Sequence, residues 1–149
     1  MATNSPLTGN FQAQIGVTYT NKEVYSKNLW SKTGSDISTR YSVSQGTLGD
    51  TGLSLTATII RNLSGSQRVY TGYAYLTGTP TTAGTFKGTV TYTGETGSYL
   101  LTLTVTVRGV APTITTEALP DAVESINYST QLEATGSTPI TWSIESGSL

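Results

Sequence analysis

Apolar and polar residues alternate along most of this chain. Phe86, Gly88, Val90 and Tyr92 fall on one face of an extended segment, with Thr85, Lys87, Thr89 and Thr91 on the other. Leu101, Leu103, Val105 and Val107 alternate with Thr102, Thr104 and Thr106, and Leu53, Leu55, Ala57 and Ile59 with Ser54, Thr56 and Thr58. Period-two patterning with a hydroxyl-rich wet face predicts antiparallel sheet with one solvated side. No window combines helical i, i+3, i+4 spacing with capping residues, so little or no helix is expected. Strands are predicted near residues 12–20, 24–31, 37–44, 53–61, 67–77, 85–93 and 98–108. They are separated by glycine-rich turns at 46–52, 65–66, 78–84 and 94–97. Short strands punctuated in this way indicate a β-sandwich or barrel, and seven of them match an immunoglobulin-like count.

The chain also repeats itself. Tyr25-Ser26-Lys27-Asn28-Leu29 returns as Tyr128-Ser129-Thr130-Gln131-Leu132, and residues Tyr41 to Leu48 return as Trp142 to Leu149. The two matches keep their order, roughly 100 residues apart, a spacing that suits one sandwich per repeat. The chain therefore reads as a flexible lead-in (1–10), one complete module (11–108), a linker (109–112) and the front half of a second repeat (113–149). Pro112 stiffens the linker. The second piece is expected to form strands near 113–117, 127–134 and 140–145. It lacks counterparts of the strands from residue 53 onward, so Tyr128, Leu132, Ile140, Trp142 and Ile144 are expected to stay partly exposed. The tail would be mobile or paired with another chain through its open edges.

Composition narrows the function classes. Only 11% of the 149 residues are charged, and Ser and Thr take the place of Lys and Glu. A net charge of −1 with no basic run leaves nucleic-acid binding without its electrostatic footprint. No apolar stretch approaches the length that spans a membrane. Cysteine and histidine are absent, which removes disulfides, thiolate metal sites and the commonest catalytic bases and nucleophiles.

Particular stretches resemble the putative Ig (He-PIG) family, a cadherin-like and Ig-like module of bacterial surface proteins. Tyr128-Ser129, Ala134-Thr135-Gly136, Thr138-Pro139-Ile140 and Thr141-Trp142-Ser143-Ile144, followed by Ser146-Gly147-Ser148-Leu149, are similar to its front half. Gly52-Leu53-Ser54-Leu55 and the run Gly78 to Phe86 are similar to its back half, and Thr102 to Val107 to its closing strand. Ala111 to Thr116 resembles the entry to a following module. The loop after Leu55 is longer than the family pattern. The resemblance implies a Greek-key sandwich that acts as a spacer and adhesive surface in tandem arrays. Its partners would be other repeats of the same parent, at the cell surface or outside the cell, with a glycan or a host surface protein as a further partner.

Candidate chemistry is sparse, and neither catalytic residues nor a cofactor are expected. Asp36, Asp50 and Asp121 stand isolated in sequence, whereas calcium between modules needs clustered carboxylates. Glu117, Asp121 and Glu124 come nearest, and no metal is expected. Glu23 and Glu95 fall on separate elements, so the acid pair of a glycosidase is not expected. A Lys–Asn isopeptide bond would need a lysine among Lys22, Lys27 and Lys87 beside a buried acid such as Glu95. Tyr41, Tyr92 and Trp142 are assigned to core faces. Tyr73 and Tyr75 share a strand face opposite Ala74 and Leu76, so burial of Leu76 turns both tyrosines outward. Together with Trp30 they are the candidate ligand-binding residues, as a platform on which sugars stack. The leading reading is a non-catalytic structural or adhesion module. The alternatives are a carbohydrate-binding module and a strand-complemented assembly subunit.

Overall fold

The computed structural model describes residues 4–147. The chain divides into two compact units, Met1–Arg108 and Gly109–Leu149. The first is all-β, built from seven strands: β1 (Asn4–Gln14), β2 (Tyr19–Thr33), β3 (Arg40–Ser44), β4 (Leu53–Ser64), β5 (Gln67–Gly78), β6 (Gly84–Gly94) and β7 (Gly97–Arg108). They form a four-stranded sheet ordered β1-β7-β6-β3 and a three-stranded sheet ordered β2-β5-β4. β1 runs parallel to β7, and every other pairing in the two sheets is antiparallel.

The alternation in sequence becomes burial in space. Leu101, Leu103 and Val105 of β7 and Val90 and Tyr92 of β6 are fully buried, and Leu53, Leu55, Ala74 and Leu76 face them from the other sheet. Each such Leu or Val contributes about 1.5–3 kcal/mol by leaving water. The sheets pack closely enough that a Cβ on Gly72 would stand 2.7 Å from Leu29 Cδ1 and 2.9 Å from Tyr92 Cε1. Glycine is the residue that lets the Tyr92 ring lie across β5.

The expected lead-in is instead part of the sheet. From Asn4 the chain is β1, paired rung by rung with β7 from Asn4↔Ser98 to Gln14↔Arg108. Leu7 and Ala13 are buried, and a side chain at Gly9 would press on Tyr25 and Leu103 at 3.1 and 3.2 Å. The hydrogen bonds that order this polar segment come from a strand some ninety positions away, so local composition does not reveal them.

A 3-10 helical turn, Gly46–Thr51, occupies the expected glycine turn before β4. Its Leu48 is fully buried. Thr51 Oγ1 donates to the Leu48 carbonyl at 2.6 Å and accepts from the Leu53 amide at 3.1 Å. The Gln45 side-chain amide, just before the turn, donates to the Leu55 carbonyl and accepts from the Leu55 N–H, both at 2.8 Å. It supplies the edge of β4 with the bonds a further strand would make.

The second unit is sparsely ordered by comparison. Its strands are β8 (Thr113–Ile114) and β9 (Ala134–Thr135), which pair with each other. The expected strands at 127–134 and 140–145 do not form beyond the single residue Ala134. Val110, assigned to the linker, is tied into this unit: its N–H donates to Ser137 Oγ at 2.7 Å, and its carbonyl accepts from the Ser137 N–H at 3.0 Å. None of the unit's described residues is buried. Trp142 alternates onto a core face but is 46% exposed, the partial exposure expected of a unit that holds no facing sheet. Tyr41, assigned to a core face, is corrected. It lies opposite Tyr92 in register, but β3 is a five-residue edge strand that leaves the Tyr41 ring half in solvent.

Candidate functional site

β5 is the central strand of the three-stranded sheet, and its two faces differ in chemistry. Ala74 and Leu76 point inward and are fully buried. Tyr73 and Tyr75 therefore turn outward, half-buried against the sheet surface. Their rings are nearly parallel, 9° apart in plane, with centroids 6.0 Å apart. Register sets the neighbours: Ser26 and Thr58 lie opposite Tyr73, and Glu23 and Thr56 lie opposite Tyr75. Partial burial pushes the Tyr75 phenol up from its ordinary pKa, with smaller contributions from the Glu23 carboxylate and Tyr73.

The flanking rungs are closed by their own hydrogen bonds. Thr71 Oγ1 donates to Asn28 Oδ1 at 2.7 Å, and Thr77 Oγ1 donates to Asn21 Oδ1 at 3.1 Å. Beyond Tyr73, Ile60 adds one exposed aliphatic side chain, opposite Thr71. The result is a patch of two stacked, half-buried aromatic rings among hydroxyl groups, with one carboxylate at its margin.

Trp30 does not join the pair. A register shift between Asn28 and Trp30 lets Leu29 be buried while Trp30 also turns toward the four-stranded sheet. Its ring packs edge-on against Tyr99, with centroids 5.3 Å apart and planes at 66°, and lies over Gly94. Tyr99 in turn donates to the Leu29 carbonyl at 2.8 Å. Trp30 is thus packed into the edge of the sandwich. It borders one open hollow of about 270 Å³, lined by Asn28, Leu29, Trp30, Ser31, Gln67 and Val69, and a smaller one of about 70 Å³ against Ser98 and Tyr99.

The charged residues gather where sequence spacing did not suggest it. Asp36 has neighbours in space. Arg61 Nη1 donates to both its carboxylate oxygens at 2.7 and 2.8 Å, and the Tyr70 hydroxyl donates at 3.1 Å. Arg68 Nε forms a close ion pair with it at 2.7 Å. The Tyr70 hydroxyl also accepts from the Ile37 N–H at 3.0 Å, which pins the loop before β3 to β5. The Arg61 guanidinium, joined by Tyr70 and Arg68, holds the Asp36 carboxyl below the usual aspartate range. No local motif announces this cluster, because Asp36 lies 25 to 34 positions from the residues it meets. The arrangement clamps a loop, with one carboxylate shared between two guanidiniums at the surface.

The remaining candidates stay apart. Glu95 pairs with Lys32 at 3.5 Å on the surface, and Glu23 lies beside Tyr75. Lys22, Lys27 and Lys87 are all exposed, so none sits beside a buried acid. Among the described residues no three acidic side chains converge on a point that would hold a metal ion, Glu117, Asp121 and Glu124 included. No helix among the described residues is long and apolar enough to cross a membrane. No protein-family model, curated protein or solved structure matches the chain.

Proposed function

We propose that the first unit is an immunoglobulin-like, cadherin-like Greek-key sandwich of the He-PIG kind, and that it serves as a non-catalytic spacer and adhesion module in a secreted or cell-surface repeat protein of bacterial type. The observation that carries this reading is the parallel pairing of β1 with β7. Because these strands run side by side in the same direction, the chain enters the module at one end of the sheet and leaves at the other. The two points are separated by roughly 33 Å at the rise of a β-strand. Modules with opposed entry and exit extend an array when joined head to tail, and tension along the array shears the β1–β7 ladder along its whole length. The strand order β1-β7-β6-β3 facing β2-β5-β4 and the second appearance of the Tyr25 and Tyr41 motifs support the same reading.

Single-molecule pulling tests it. The chain has no cysteine, so paired cysteine handles can be placed at will. Handles at Asn4 and Gly109 load the β1–β7 ladder in shear. Handles at Ala83 and Gly109 sit beside paired ends of β6 and β7 and open that hairpin one rung at a time. The first geometry is expected to unfold at clearly higher force. Equal or lower resistance along Asn4–Gly109 would remove the mechanical basis of a spacer.

A further inference from the structure

From the outer face of the three-stranded sheet we infer that Tyr73 and Tyr75 form a binding platform for a chain of β-linked, equatorially substituted hexopyranoses. The inference rests on the adhesive part of the proposed function and names its ligand class. Neither ring serves the core, since the buried side of β5 at this level is made by Ala74 and Leu76. Two half-buried rings stacked on one another on the outer face of a central strand keep part of their aromatic surface in water, which the core does not use. The rings are near-parallel and 6.0 Å apart, a separation comparable to adjoining sugars in an extended chain. A pyranose with equatorial hydroxyls presents an apolar C–H face that suits an aromatic ring, while its hydroxyls project sideways. At this site the groups to either side are Ser26 and Glu23 on β2 and Thr58 and Thr56 on β4. Glu23, Ser26 and Thr56 are exposed. Hydroxyls and a carboxylate satisfy sugar hydroxyls as both donors and acceptors.

Charge selects within the sugars. The groups directly opposite the two rings include one carboxylate and no cation, so acidic or sulfated glycans lack a counter-charge and neutral chains are favoured. The rigid sheet presents the rings without loop reordering, which lowers the entropic cost of binding. Ile60 is the one exposed aliphatic residue beside the pair, a thin apolar margin for anchoring a protein partner.

Calorimetric titration of the full chain with β-1,4-linked glucose, mannose and N-acetylglucosamine hexasaccharides tests the inference. Saturable binding of at least one of them is expected, weakened roughly tenfold or more by Tyr73→Ala and by Tyr75→Ala. It should be unchanged by Tyr41→Ala, which removes an exposed tyrosine from the other sheet. The Tyr73 and Tyr75 variants should still unfold cooperatively at a modestly lowered melting temperature, because their rings are half-buried on the outer face and outside the core. Absence of saturable binding at millimolar sugar would overturn the inference, as would equal binding by the double variant or binding of an α-1,4-linked hexasaccharide alone. Self-association of the chain that the double variant abolishes, without sugar binding, would also overturn it in favour of a protein contact. The pulling experiment does not involve these rings, so the spacer reading stands or falls separately.

Discussion

The Tyr92 hydroxyl of β6 donates to the backbone carbonyl of Tyr73 on β5 at 2.8 Å, joining the two sheets through a fully buried ring. The bond fixes the strand that carries the outward tyrosine pair, from the inside. Tyr92→Phe keeps the ring and removes the donor, so it should destabilise the first unit by about 1 kcal/mol. Urea unfolding followed by tryptophan fluorescence measures this, with Trp30 as the reporter at the sandwich edge.

Gly72 makes that arrangement possible. In Gly72→Ala the new methyl meets Leu29 Cδ1 and Tyr92 Cε1 at distances below 3 Å, and both neighbours are buried. The overpacking should cost about 1–3 kcal/mol. The same unfolding measurement applies, and a neutral result would mean that the sheets stand further apart.

Alkaline pH should act on the same residue. Burial, with Tyr25 and Tyr75 nearby, raises the Tyr92 phenol well above its ordinary value of 10.0. The folded-state pKa lies above the unfolded one, so the contribution is fully present below about pH 10 and is lost as pH rises beyond it. Stability should fall on the alkaline side. Tyr92→Phe should flatten that limb in a series of melting curves, and an unchanged slope would reject the assignment.

Asp36 predicts the acid limb. Its folded pKa is lowered, first by the Arg61 hydrogen bond, so its contribution is present above the ordinary aspartate pKa of 3.8 and is lost as pH falls below it. Asp36→Asn should shift loss of stability at low pH to a shallower slope and loosen the loop around Ile37, whose N–H is held by Tyr70. Amide exchange at Ile37 reads the second effect independently of stability.

The internal repeat offers a matched comparison. Leu29 and Leu132 close equivalent five-residue motifs, yet Leu29 is 6% exposed and Leu132 46%. Leu29→Ala should cost about 2–5 kcal/mol, as buried leucine truncations do. Leu132→Ala should stay within about 0.5 kcal/mol, as surface substitutions do. Similar costs at both sites would show that the second unit buries its leucine in solution.

The candidate site was partly legible in sequence. Tyr73 and Tyr75 were paired by strand periodicity, and the burial of Leu76 set their direction. The direction of Trp30 is not legible in sequence, because one register shift in β2 reorients it and a β-bulge leaves little trace in the residue pattern of a mostly polar strand. The Asp36 cluster left no trace, since its residues come from a loop and two strands that meet only on folding.

Alternation of apolar residues with threonine determined that residues 53–108 form four strands with a defined inner face, because a period of two admits one pleated arrangement. Glycine-rich turns determined where those strands end. Tertiary structure alone decided that residues 4–10 belong to the sheet, that β1 lies parallel to β7, and that Trp30 packs toward the four-stranded sheet and away from Tyr73 and Tyr75. It also decided that Leu29 is buried where Leu132 is not. Burial and ladder hydrogen bonds are supplied by partners distant in the chain, and the same local sequence is core or surface according to whether a second sheet arrives to cover it.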